Sequence, residues 1–132
     1  MQKYTLTIAG ISGALCVALG AMGAHALKDI LPAENMQTFE TAVKYQLYHT
    51  LALILVVILS DKIQSKFLHY SSSLFITGII LFSFSLYFLA FRPLLGVNSE
   101  EMKWVGAITP FGGLSFILAW FMLSMYAIQS KK

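Results

Sequence analysis

Three histidines lie within otherwise uncharged, apolar stretches of this chain; two of them, His25 and His49, are site candidates, whereas His69 is expected to be solvated. His25 and His49 can each bind or transfer a proton near neutral pH, and an imidazole can also ligate a metal or a haem iron. Other hydrogen-bonding side chains occur in the same stretches, namely Tyr45, Ser83, Tyr87 and Thr109. These residues are the candidates for a binding or proton-handling site.

The stretches that hold these residues have the composition of membrane-spanning helices. The chain is 58% hydrophobic and 11% charged, whereas charged residues make up about 25% of a typical soluble domain. Four runs contain no Asp, Glu, Lys or Arg: residues 4–27, 45–60, 67–91 and 104–130. A helix needs roughly 20 residues to cross the hydrocarbon core. The sequence therefore predicts an all-α, four-helix transmembrane bundle in a single integral membrane domain, residues 1–132.

The predicted spans are residues 4–27, 42–60, 67–91 and 104–128. The second uncharged run has 16 residues, so its helix must begin earlier and carry Lys44 near the surface, where a long side chain can reach the head groups. Apolar residues recur at helical spacing upstream, at Met36, Phe39 and Val43. We expect an interfacial amphipathic helical segment before the second span, and Pro93 is expected to end the third.

Depth within the membrane relates the candidate residues to one another. Counted from the nearest charged residue at that end of the helices, candidates on all four spans lie roughly 4.5 to 9 Å deep, at about 1.5 Å per residue. Tyr45 and His49 share a helix face at i,i+4, as do Ser83 and Tyr87. The sequence predicts one polar cluster in the same leaflet, formed by His25, Tyr45, His49, Ser83, Tyr87 and Thr109.

This cluster has a structural interpretation and two functional ones. Buried histidines can hold a bundle in register by hydrogen bonding, and we predict a noncatalytic protein that acts through lipid or protein packing. An oligomeric transporter or channel component that uses the cluster is one alternative, and a protein binding haem or quinone near His25 and His49 is another. The sequence lacks catalytic triads, phosphate loops and paired carboxylates, so we expect no catalytic residue, no metal and no cofactor.

Small residues indicate where helices approach closely. In lipid, helices associate through close van der Waals contact and interhelical hydrogen bonds, and small side chains permit both. The first span is rich in them, so we expect it to lie at the centre of the bundle. The predicted packing positions are Gly10, Gly13, Gly20, Gly23, Gly112 and Gly113. Pro110 leaves the carbonyl of Gly106 without its usual donor, and Thr109 or a water is expected to satisfy it.

Positive charge near the helix ends predicts the orientation. One end carries five such residues, Lys3, Lys62, Lys66, Lys131 and Lys132, and the other end carries four, Lys28, Lys44, Arg92 and Lys103. Excess Lys and Arg marks the cytoplasmic side, so both termini are expected in the cytoplasm of a multi-pass cell-membrane protein. The net charge of +3 favours anionic lipid head groups over nucleic acid. The expected partners are membrane lipids, with a second copy or another membrane protein possible in addition.

Four motifs coincide with these polar positions. They are GAMGAHAL at 20–27, YQLYH at 45–49, FSFSLY at 82–87 and TPFGG at 109–113. Together they resemble the transmembrane protein 256 family, also called domain of unknown function 423, although Met22 replaces a more usual Phe and Phe84 a frequent Gly. The resemblance implies a small multi-pass membrane protein of the bacterial branch, and it brings no established activity or catalytic residues.

Overall fold

The computed structural model describes residues 2–98 and 100–129, and this part of the chain is helical almost throughout. α1 (Gln2–Met22) continues into a π-helical turn (Gly23–Leu27), and α2 follows (Ala33–Lys62). The next long helix consists of α3 (Lys66–Gly78), a π segment (Ile79–Phe84) and α4 (Ser85–Leu95), and α5 is Lys103–Gln129. Within these ranges, four helical stretches are long and apolar enough to cross a membrane. The predicted all-α, four-helix transmembrane fold is confirmed.

α2 is one continuous helix of 30 residues. Pro32 precedes it in an extended conformation, and Glu34 in its first turn and Lys62 in its last have the charges that a helix dipole favours at those ends. The expected interfacial segment forms the first turns of this helix without a break. Phe39 anchors those turns, since it is 1% exposed and its ring lies 5.4 Å from that of Tyr87 on α4.

α2 and the long helix from α3 to α4 occupy the middle of the bundle, and α1 lies at its edge. α2 contacts α1, α3, the π segment and α4, whereas the principal neighbour of α1 is α2. The prediction that the first span is central is therefore wrong. The physical reason is the direction its small residues face. Thr5, Ala9, Ser12 and Cys16 form the buried stripe of α1, while Gly10, Ala14 and Ala18 lie on its exposed side.

The predicted packing glycines fall into three groups. A Cβ atom added at Gly112 would lie 2.4 Å from the backbone nitrogen of Phe82, and one at Gly23 would lie 2.8 Å from the ring of Phe39. At Gly13, Gly20 and Gly113 the nearest atoms would be 3.8 to 3.9 Å away, an ordinary van der Waals distance. At Gly10 no atom lies within 4 Å, so its assignment to packing within the bundle is wrong.

A further glycine that the sequence did not single out is closely packed. A Cβ atom added at Gly78 would lie 2.4 Å from the ring of Phe116. Gly78 and Gly112 thus bring α3 and the π segment against α5, and this is where the bundle most needs glycine. Phe116 is itself 3% exposed.

Pro93 does not end the third membrane-spanning helix, as the sequence predicted, because α4 continues to Leu95 and ends at Gly96 with a φ of 65°. A proline inside a helix leaves the carbonyl four residues earlier without its N–H donor, here the carbonyl of Leu89. The Asn35 side chain on α2 supplies the missing donor, since its Nδ2 lies 3.3 Å from the carbonyl oxygen of Leu89 and 3.2 Å from that of Ala90. This tertiary contact allows the helix to pass through its proline.

Candidate functional site: a buried polar network

Gln46 is the centre of a hydrogen-bonded network that joins α1, α2 and α4. It is 1% exposed. The Tyr87 hydroxyl donates to Gln46 Oε1 at 2.7 Å, and Gln46 Nε2 lies 3.2 Å from both the backbone oxygen and the Oγ of Ser12. Ser12 Oγ is in turn 2.7 Å from Thr50 Oγ1. We call these residues, Ser12, Gln46, Thr50 and Tyr87, the Gln46 network.

The local sequence explains why these side chains meet. Gln46 and Thr50 are four residues apart on α2 and therefore share one helix face. Ser12 lies on the buried stripe of α1, which faces α2. Hydrocarbon offers no hydrogen bonds, so polar groups in a span must find partners within the protein. Both ends of the Gln46 amide are engaged, which suits the network to holding helices in register.

His49 belongs to a different environment, an aromatic stack between α2 and α5. It is 6% exposed. Its Nδ1 lies 2.7 Å from the backbone oxygen of Tyr45, and because a carbonyl can only accept, Nδ1 carries the proton in this arrangement. The imidazole ring stacks on Phe116 with centroids 3.4 Å apart and planes 5° apart. Among the described residues, His49 has no hydrogen bond to the Gln46 network.

The structure does not bring the six predicted cluster residues together. Tyr87 lies in the Gln46 network, and Tyr45, which is 40% exposed, packs its ring 4.6 Å from that of Phe82. His25 lies on the π-helical turn after α1 and is exposed. The similar predicted depth of His25 and His49 did not bring them together, because His25 is on an exposed face of its helix.

The two remaining cluster residues lie near the π segment, on either side of the contact with α5. The Thr109 hydroxyl is 2.7 Å from that of Ser85, which donates to the backbone oxygen of Phe82 at 2.9 Å. Thr109 therefore donates to Ser85, and the expectation that it satisfies the carbonyl of Gly106 is wrong. The hydroxyl of Ser83 is the buried side-chain group without a hydrogen-bond partner in residues 2–98 and 100–129.

Sequence reasoning missed Gln46, Ser12, Thr50 and Asn35. The two histidines directed the interpretation toward hydroxyl groups at a similar depth or on the same helix face, and none of these four residues was included among them. One signal was present, since Gln46 and Thr50 are polar residues at i,i+4 within a run of apolar sequence. An amide inside a span must find hydrogen-bond partners just as a histidine must, so both types of residue are candidates for a buried network.

Metal-ligating side chains are dispersed in the part of the chain that the structure describes. No group of three or more His, Cys, Asp or Glu residues in that part could hold a metal ion. The thiol of Cys16 is buried and lies 4.0 Å from the backbone oxygen of Val43. The buried polar residues in that part are serines and threonines together with Gln46 and His49.

The fold and the buried network define the class of the protein, a small α-helical, multi-pass membrane protein. Comparison with known families agrees, since residues 19–113 match the model of a family described as protein of unknown function, DUF423. The chain belongs to this family. The match includes Gln46, Thr50 and Tyr87 of the Gln46 network, whereas Ser12 lies before it.

The relatives are bacterial membrane proteins of nearly the same length. The chain is 41% identical over 131 residues to a UPF0382 membrane protein of Haemophilus influenzae, covering 99% of this chain and 98% of the relative. It is 36% identical to the UPF0382 membrane protein YwdK of Bacillus subtilis (97% and 98%) and 35% identical to the UPF0382 inner membrane protein YgdD of Escherichia coli (99% and 94%). No solved structure matches the chain.

Proposed function

We propose that this protein is noncatalytic and acts through packing with membrane lipids or with partner membrane proteins. The observation that carries the proposal is the state of the Gln46 amide, which is buried and hydrogen-bonded at both ends. A binding or transport site needs polar atoms that a ligand can reach. The polar atoms of the Gln46 network instead bind one another.

The surface of α1 supports the same proposal. Gly10, Ala14 and Ala18 lie on its exposed side, so small side chains face outward toward lipid or toward another membrane protein. Small residues permit close approach of such a neighbour. Lipids and a second copy of the chain are the partners that this face suits.

A flux measurement tests the noncatalytic proposal against transport. Proteoliposomes containing the full-length protein should leak protons and small ions at the rate of protein-free liposomes. Gln46→Leu should not change the rate and should lower the melting temperature, because Tyr87 and Ser12 lose their partner. Gln37→Leu, at an exposed position on the same helix, is the matched control. A flux that wild type supports and that Gln46→Leu abolishes would overturn the proposal.

The same proposal places both termini in the cytoplasm, from the five positive residues at that end against four at the other. Lys131 and Lys132 lie outside the described residues. A fluorescent reporter that folds in the cytoplasm should be bright when fused to the C-terminus. A dark fusion, together with an active periplasmic reporter at the same position, would reverse the orientation.

A further inference from the structure

Two crevices open between α1 and α2, one at each end of the pair. The first, which we call the Lys28 crevice, has a volume of about 470 Å³ and is lined by Gly20, Ala24, Lys28, Glu40 and Lys44 among others. The second, the Lys3 crevice, has a volume of about 390 Å³ and is lined by Lys3, Leu6, Ile58, Asp61 and Lys62 among others. Each crevice combines apolar walls with two lysines and one carboxylate.

The two crevices lie on the same side of α2. Residues that line one are 18 positions from residues that line the other, as in Glu40 and Ile58, or Lys44 and Lys62. At 3.6 residues per turn, 18 positions are about five full turns, so these pairs face the same direction. The crevices are therefore the two ends of one surface.

The distance between the crevices matches a bilayer. Lys44 and Lys62 are separated by about 27 Å along the helix at 1.5 Å per residue, and the hydrocarbon core is about 30 Å thick. Each lysine can thus reach the head-group region of one leaflet. Between them, the same side of α2 carries exposed apolar side chains, with Leu47, Leu51 and Ile58 at 39%, 56% and 54% exposure.

The charges at each end suit one phosphate. Among the residues that line each crevice, two ammonium groups and one carboxylate leave one excess positive charge. In the Lys28 crevice, Glu40 and Lys44 are already paired at 3.8 Å. A phosphodiester of an anionic lipid carries the single negative charge that would balance this excess, whereas a zwitterionic lipid would leave it unbalanced.

The geometry points to this side of the α1–α2 pair as a binding site for anionic glycerophospholipids, with one head-group site in each leaflet. The inference rests on the proposed function in lipid packing and names the lipid class. Free phosphate does not suffice as the ligand, because exposed lysines attract an ion only weakly in water. The acyl chains contribute the remaining binding free energy, because they lie along the apolar strip of α2 and the small residues of α1.

Native mass spectrometry of the full chain tests the inference. Detergent-solubilised protein is incubated with equimolar phosphatidylglycerol and phosphatidylethanolamine, and wild type should retain two phosphatidylglycerol molecules. Replacing Lys28 and Lys44 with Gln should remove one of them, and replacing Lys3 and Lys62 should remove the other. Each double change should weaken binding at its own end about thirtyfold, since a lysine near the surface contributes roughly 1 kcal/mol.

Matched controls separate this site from general surface charge. Lys66→Gln and Lys103→Gln change exposed lysines that line neither crevice, and both variants should retain two lipids. Ala24→Phe should fill the Lys28 crevice and remove one lipid, whereas Ala21→Phe, at an exposed position outside the crevice, should not. The lysine variants change exposed side chains, so they keep the test valid if Ala24→Phe does not fold.

The possible outcomes distinguish the inference from the proposed function. Equal retention of the two lipids, equal losses in the control lysine variants, or displacement of lipid by inorganic phosphate would overturn the inference and leave the proposed function intact. A wild-type protein that retains no lipid, and whose melting temperature no phospholipid changes, would overturn the inference and the lipid part of the proposed function together.

Discussion

The contact between α3 and α5 differs from the contact between α1 and α2, although both are rich in small residues. α3 and α5 are joined by two hydroxyl-to-carbonyl bonds in opposite directions, since Ser71 donates to Ala119 and Ser115 donates to Leu74, both at 2.9 Å. Each bond runs from a side chain on one helix to the backbone of the other. Because a serine side chain is short, each of these bonds requires the two helices to lie close together.

The contact between α1 and α2 is close at its middle, where the Ser12 hydroxyl lies 2.7 Å from that of Thr50, and leaves space at its ends. Gln46 reaches from α2 to Ser12 on α1, and crevices open at both ends of the pair. A Cβ atom added at Gly13 would be 3.8 Å from Thr50. A small residue therefore favours close packing only where it faces a neighbouring helix, and otherwise leaves a surface open to lipid.

Alanine substitutions at glycine should give the largest difference between the two regions. Gly112→Ala should cost about 3 kcal/mol, because the added Cβ atom meets the backbone of Phe82 at 2.4 Å. Gly10→Ala should be neutral or stabilise by up to about 1 kcal/mol, since nothing lies within 4 Å and alanine favours helix. The measurement is the melting temperature in one detergent. Gly113→Ala is the control on α5. Equal losses of stability at Gly10 and Gly112 would mean that the two helix contacts do not differ in how closely they pack.

The contact between Asn35 and α4 should give the next largest effect. Asn35→Ala should destabilise by about 1 to 2 kcal/mol, because the carbonyls of Leu89 and Ala90 lose their side-chain donor at a partly buried position. Pro93→Ala restores an N–H within the helix, so the cost of Asn35→Ala should shrink in that background. Denaturant unfolding of the four proteins measures the coupling. An unchanged cost would mean that Asn35 does not compensate for the proline.

The two histidines should show the smallest coupling. His25 is exposed on the π-helical turn, while His49 is stacked on Phe116. Losses of stability from His25→Leu and His49→Leu should therefore add within about 0.5 kcal/mol, as expected for residues without a shared partner. The cycle is measured by thermal unfolding in detergent. A larger coupling would mean that His25 and His49 belong to one cluster.

Much of the fold could be predicted because helices that cross lipid contain few charged residues. Charge is expensive in hydrocarbon, so uncharged runs marked the helices that the structure contains. The end of α4 could not be predicted in the same way. The signal at Pro93 was local, and it was overridden by Asn35, which lies 58 positions earlier in the chain.

The site was harder to predict because sequence gives the depth of a residue and not its rotation about the bundle. Counting from charged residues placed His25 and His49 at similar depth, yet one faces outward and the other faces α5. Tyr87 was identified as a polar candidate, but its partner Gln46 was not. Pairing across helices depends on how each helix is turned, and no spacing within a single helix contains that information.

The most direct test of the account is the coupling between Gln46 and Tyr87. Gln46→Leu, Tyr87→Phe and the double variant are compared with wild type by unfolding in lipid nanodiscs. Hydrogen bonds between membrane helices contribute on average about 0.6 and at most about 1.7 kcal/mol, and we expect a coupling within that range because Tyr87 donates directly to Gln46. Strictly additive losses would contradict the claim that this buried network holds the bundle together.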